Sequence, residues 1–134
     1  MEIFTTFHKE GWHLYGERMV KTFLKHWPHD IKIHLYCENI YPNLRLDRVK
    51  EYDIFEVCPL LKPYLDQYNT PEANGIKNDK KDFRYNAIKH CYKVFAQCHM
   101  IRNSKADKII FIDADTLTFD TPPMQKVEEL LPDN

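Results

Sequence analysis

The sequence predicts an α/β fold built on a mostly parallel sheet. Three observations carry the prediction. Short apolar, β-branched runs alternate with stretches of helical periodicity. The first such strand–helix–strand passage is short enough to be a right-handed parallel crossover. The strongest apolar run, Ile109-Ile110-Phe111-Ile112, comes late and ends in two carboxylates, Asp113 and Asp115. That is the end of a strand where open α/β sheets place ligands.

In chain order, Glu2-Ile3-Phe4-Thr5-Thr6-Phe7 reads as the first strand. Trp12 to Trp27 reads as a helix, with Tyr15, Met19 and Phe23 stacked at spacing four and Pro28 as the stop. Asp30 to Cys37 alternates, with Ile31, Ile33 and Leu35 on one face, and is the second strand. Asn39 to Leu46 is a loop. Asp53-Ile54-Phe55-Glu56-Val57 is the third strand. Pro59 to Lys81 is broken by Pro59, Pro63, Pro71, Asn74-Gly75 and Asn78-Asp79, with one short helix within Leu60 to Tyr68. Long irregular connections of this kind are usually functional, so it is expected to form a flexible lip over a site. Asp82 to Asn103 is the best helix, with Asp82 as N-cap and an apolar stripe of Ile88, Cys91, Phe95 and Cys98. After the carboxylates come a short extended piece, Leu117 to Asp120, and a final helix from Met124 to Leu131.

The 134 residues suit one domain, 1–134, with a core that needs no staples. The 19 basic and 20 acidic residues give no positive field for nucleic acid. No apolar run reaches the ~20 residues of a membrane span, and the N-terminus lacks the marks of a signal peptide. Cys37, Cys58, Cys91 and Cys98 form no CxxC pair, and they read as small core residues in a reducing, cytoplasmic setting. His90 and His99 stand beside two of them, but at a spacing that does not suit zinc.

In an extended backbone Asp113 and Asp115 point the same way and can converge on one divalent ion. Their hard oxygens suit Mg²⁺ or Mn²⁺. The other reading is an Asp-rich turn at a strand exit. Arg84, Lys89 and Lys93, on the preceding helix, can reach phosphate oxygens, although surface Lys and Arg are commonly just solvated. Thr5, Thr6 and Phe7 at the end of the first strand can meet a base or ribose. With only three glycines there is no GxGxxG and no P-loop.

Phe111-Ile112-Asp113-Ala114-Asp115-Thr116-Leu117 resembles the DxD signature of GT-A-type glycosyltransferases, glycogenin-like and small phage or bacterial members among them. Phe4-Thr5-Thr6-Phe7 resembles their first strand, and Phe83-Arg84-Tyr85-Asn86-Ala87 with Lys93-Val94-Phe95-Ala96 resembles the helix before the DxD strand. The resemblance implies a Rossmann-like GT-A half, a mostly parallel sheet with helices on both faces, truncated after the DxD strand. It implies a nucleotide-diphosphate sugar, UDP-linked by preference, held by Thr5, Thr6, Phe7, Arg84, Lys93, Asp113 and Ala114. It implies Mn²⁺ or Mg²⁺ on Asp113 and Asp115; the first carboxylate can instead take the ribose, leaving Asp115 as the main ligand. Family members run on past the DxD into acceptor-binding segments and often a metal-binding His. This chain ends soon after, so the acceptor site is expected to be absent or supplied by a second chain, a homo-oligomer included. No catalytic residue is assigned. A non-catalytic binding module of the same fold is the alternative. A phosphotransferase using the Asp pair is disfavoured, because that chemistry needs the pair after the first strand.

Overall fold

The computed structural model describes residues 1–131. Four strands make one parallel sheet in the order β3-β2-β1-β6: β1 is Glu2–His8, β2 Lys32–Glu38, β3 Val49–Asp53 and β6 Ile109–Phe111. Strand β1 pairs along its whole length with β2, from Glu2↔Lys32 to His8↔Glu38. Strand β6 pairs only with the first part of β1, Glu2↔Ile109 to Phe4↔Phe111. The fold is Rossmann-like in this sense, with helices covering both faces. Alternation along the strands explains the two layers. Ile3, Phe7, Ile33, Leu35 and Cys37 face Met19, Val20, Phe23 and Trp27 of the first helical layer. Phe4 and Tyr36 face Cys91, Ala96 and Met100 of the second, with Ile54 and Leu61.

The first helical layer starts earlier than its periodicity suggests. It comprises α1 (Lys9–Gly11), a π-helical turn (Trp12–Gly16) and α2 (Glu17–His26). His8 caps its start, accepting from Gly11 N at 3.0 Å through Nδ1. Trp27 is extended, at φ −79 and ψ 147, as a residue before proline should be. The end of α2 is closed by Arg48, whose guanidinium donates to the carbonyls of Leu24, Trp27, Pro28 and Ile31.

Four sequence expectations are corrected. The third strand is Val49–Asp53, and Ile54–Val57 is the short helix α3. The Asp53 carboxylate accepts from Phe55 N and Glu56 N, so a side-chain cap overrides the β-propensity of the apolar run that follows. The helix expected from Asp82 begins only at Ala87: α5 is Ala87–Asn103. Asn86, buried, is its cap and accepts from Lys89 N at 2.7 Å. Lys80–Asn86 is instead β5, antiparallel to β4 (Asn74–Lys77). Asn78 and Asp79 have φ of 50 and 57, the left-handed pair that a tight hairpin turn requires. Gly75, at φ +75, lets the strands close up; a Cβ there would lie 2.3 Å from Asp82 O. Between α3 and the hairpin lies α4 (Leu61–Tyr68), as expected, so the region expected to be an irregular lip is largely regular. Cys98 is exposed and does not join the apolar stripe of α5, while Cys37, Cys58 and Cys91 are buried.

After β6 the chain runs over α2, where Thr118 N donates to Thr22 Oγ1 and Thr118 Oγ1 accepts from Trp27 Nε1. The last element of the described residues is α6 (Met124–Leu130). No helix of the described residues is long and apolar enough to cross a membrane.

Candidate functional site

The strand order places a crossover on each side of β1. The chain moves from β1 outward to β2 and β3, then returns to β1's other edge as β6. A crevice opens at the carboxyl ends of the strands where such a reversal occurs. Here the crevice is deepened because β6 leaves the sheet early. Ile112 N still donates to Phe4 O at 3.0 Å, but beyond it β1 runs on to His8 alone on that edge. The result is a pocket of about 370 Å³.

One wall is the turn after β6. Asp113, Ala114 and Asp115 all line the pocket. Asp113 and Asp115 are exposed, and Ala114 is buried in the core beneath them. The expectation that an extended backbone aligns the two carboxylates is corrected. Asp113 O accepts from Thr116 N at 3.0 Å, so the segment is a turn, and the turn brings both residues to the pocket.

The floor comes from the end of β1. Thr6, Phe7 and His8 line the pocket. Phe7 is buried and leans on Trp12, ring centroids 5.0 Å apart. Thr5 is not on this wall. It points into the sheet face covered by α2, fully buried, and its Oγ1 finds no hydrogen-bond partner.

Helix α5 forms the opposite wall with Lys89, His90, Tyr92 and Lys93. The Lys93 ammonium is ion-paired with the Asp113 carboxylate and sits over the Phe111 ring, 4.7 Å from its centroid. Lys89 lies 4.3 Å from the centroid of Phe83, which β5 contributes to the rim. Arg84 lies outside the pocket lining. Its side chain is 79% exposed and pairs with Asp82 at 2.7 Å. The reason is the hairpin: with β5 in place of a first helical turn, alternation sends Phe83 to the pocket and Arg84 away from it.

Tyr15, Tyr36 and Glu38 also line the pocket, and sequence reasoning missed them. Tyr15 was placed in the α2 core stripe by its spacing from Met19 and Phe23. Tyr15 keeps that packing against the core and, from within the π turn, also borders the pocket. Burial and then the Asp115 charge push its hydroxyl pKa up. Gly11 makes room for the ring; a Cβ there would lie 2.5 Å from Tyr15 Oη. Glu38 accepts from Tyr92 Oη at 3.0 Å. Burial, then Glu38, raises the pKa of Tyr92, so it stays a neutral donor. Glu38 was legible in principle, since it ends β2 as Asp113 follows β6.

Two ammonium groups and three carboxylates therefore face this pocket. The donor set suits a hard divalent cation on Asp113 and Asp115, because both are oxygen ligands and both border one space. Among the described residues no three His, Cys, Asp or Glu side chains group to hold a metal ion. Remaining coordination positions would thus fall to ligand oxygens or water, as is usual for Mg²⁺. A divalent cation would also turn the local balance positive, which a diphosphate needs.

The chain matches no family model, no curated protein and no solved structure.

Proposed function

We propose that the chain binds a nucleotide-diphosphate sugar in this crevice, with Mn²⁺ or Mg²⁺ on Asp113 and Asp115, and serves sugar transfer as a GT-A-type nucleotide-binding unit. The observation that carries the reading is the Asp113–Asp115 turn facing Lys93 across the carboxyl end of β1. That arrangement gives a diphosphate both a cation seat and an ammonium at its edge. The sheet reversal and the resemblance of Phe111 to Leu117 to the DxD signature support it. A UDP-sugar is the favoured donor.

In this reading Asp113 and Asp115 would hold a cation that would offset charge on the departing diphosphate. Lys93 and Lys89 add hydrogen bonds to its oxygens. Thr6 and the end of β1 seat the nucleoside, and the aromatic side chains of Tyr15, Phe83 and Tyr92 keep water from that wall. The bond from the anomeric carbon to the phosphate oxygen breaks and one to an acceptor hydroxyl forms. The electron pair of the broken bond leaves on the diphosphate, and the acceptor hydroxyl's proton passes to water or to that diphosphate. The buried thiols suit a reducing, cytoplasmic setting.

The test is thermal stability with UDP-, GDP- and ADP-sugars, with and without Mn²⁺, for wild type and Asp115→Asn. Ligand binding to the folded chain raises the melting temperature. A Mn²⁺-dependent rise lost in Asp115→Asn is expected. No such rise with any of the three donors would sink the reading; a rise without transfer to any acceptor would favour a binding module.

A further inference from the structure

Among the described residues Lys93 is the one cation ion-paired within the crevice, and its partner is one of the two carboxylates a metal would need. We propose that Lys93 gates Asp113. It holds that carboxylate until a diphosphate draws the ammonium away, so cation and diphosphate bind with positive coupling and the cation alone binds poorly. This rests on the reading above and adds an order of events to it.

The geometry supports such a device. Lys93 projects from the interior of α5, a helix anchored by buried Cys91, Ala96 and Met100, so its base is fixed. Its side chain is only part-exposed, at 39%, against 57% for Asp113. The Phe111 ring beneath it favours a cation over that spot. Asp115 is in no ion pair among the described residues, so the two carboxylates differ: one is neutralised, one is open. A divalent cation arriving alone meets one open carboxylate and a fixed positive charge. Once a diphosphate supplies a better partner for the ammonium, the same place offers two carboxylates and phosphate oxygens. Linkage makes the effect reciprocal: whatever the diphosphate adds to cation affinity, the cation adds to diphosphate affinity.

The test uses Mn²⁺ binding, read from loss of the free-ion electron paramagnetic resonance signal, and equilibrium dialysis of labelled UDP. Wild type, Lys93→Met, Lys93→Gln and Lys93→Arg are compared, with melting curves to check folding; Met and Gln are alternatives should either fail to fold. Without UDP, Lys93→Met or Lys93→Gln should bind Mn²⁺ roughly 5- to 20-fold more tightly than wild type, the order expected from removing a nearby like charge that water partly screens. The same variants should bind UDP more weakly without Mn²⁺, and the coupling between the two ligands should shrink. Lys93→Arg keeps the charge and should bind Mn²⁺ alone more weakly than Lys93→Met does. Should wild type bind Mn²⁺ and UDP together while Lys93→Met binds Mn²⁺ alone no better than wild type, the gate is wrong and the site reading stands. Should Asp115→Asn match wild type for both ligands, the site reading itself fails, and the gate with it.

Discussion

Replacing Gly11 with Ala separates the stability of the first helical layer from the shape of the pocket. Gly11 has ordinary helical dihedrals, φ −61 and ψ −36, so alanine meets no backbone strain there. Helix propensity alone favours alanine by about 1 kcal/mol. Against this, the new Cβ would stand 2.5 Å from Tyr15 Oη and 2.8 Å from Cζ, so the ring must move by about an ångström or change rotamer. Such a displacement costs roughly 0.5–1.5 kcal/mol. The two effects nearly cancel, and Gly11→Ala should leave urea stability within about 1 kcal/mol of wild type. In a Tyr15→Ala background the clash is gone, and Gly11→Ala should show the full gain of about 1 kcal/mol. Urea unfolding of the four proteins gives the coupling energy directly. Dialysis of labelled UDP should show Gly11→Ala binding several-fold more weakly, because Tyr15 no longer forms its part of the wall. An equal gain from alanine with Tyr15 present or absent would refute the contact. Unchanged UDP binding beside a clear coupling energy would remove Tyr15 from the binding wall.

Arg48→Ala strips four carbonyls of their shared donor and should cost about 2–3 kcal/mol in urea unfolding, well above a usual surface change. Asp79→Gly relieves a left-handed aspartate in the β4–β5 turn and should raise stability by about 0.5–1 kcal/mol. Burial lowers the pKa of His34 below its ordinary value in the folded chain, despite the opposing charge of Glu2. Its contribution is therefore complete above about pH 6.5 and is lost as pH falls from there toward the folded value. Burial acts the same way on His99. Melting temperature should decline from pH 7 to pH 5.5, and His34→Gln should make that decline shallower. The groups around His34 are Glu2 on β1, Lys32 on its own strand, Lys50 and Tyr52 on β3, and His99 on α5, which hydrogen-bonds Tyr36.

Much of the frame was legible because it depends on hydrophobic period. The alternation of Ile31, Ile33 and Leu35, the stop at Pro28 and the run at Ile109 each reflect burial that the sequence encodes locally. The boundary errors share a different cause. At Asp53 and Asn86 a polar side chain satisfies exposed backbone amides, and one cap decides where a strand ends or a helix starts. The β4–β5 hairpin was hidden because the alternation in Lys80 to Asn86 is limited to Phe83 and Tyr85, both exposed, and its pairing is fixed by the left-handed Asn78-Asp79 turn. At the site, Asp113, Asp115 and Lys93 were legible from strand-end and helix position. Thr5 and Arg84 were misplaced through strand alternation, and the place of Tyr15 on the pocket wall, beside the core packing its spacing predicts, comes from a π turn that no local propensity announces.

The early departure of β6 also bears on how the crevice comes into being. Its two walls meet only when Ile109–Phe111 docks on β1, after a loop of about a hundred residues has closed. The β1–α2–β2–β3 unit needs only short closures, so it is expected to form first and to open last. The binding wall is then the last seam to be sewn. Amide exchange at Ile110 and Ile112 should report openings that leave Ile33 and Leu35 protected. Mild denaturant should silence ligand binding while most of the far-ultraviolet signal survives.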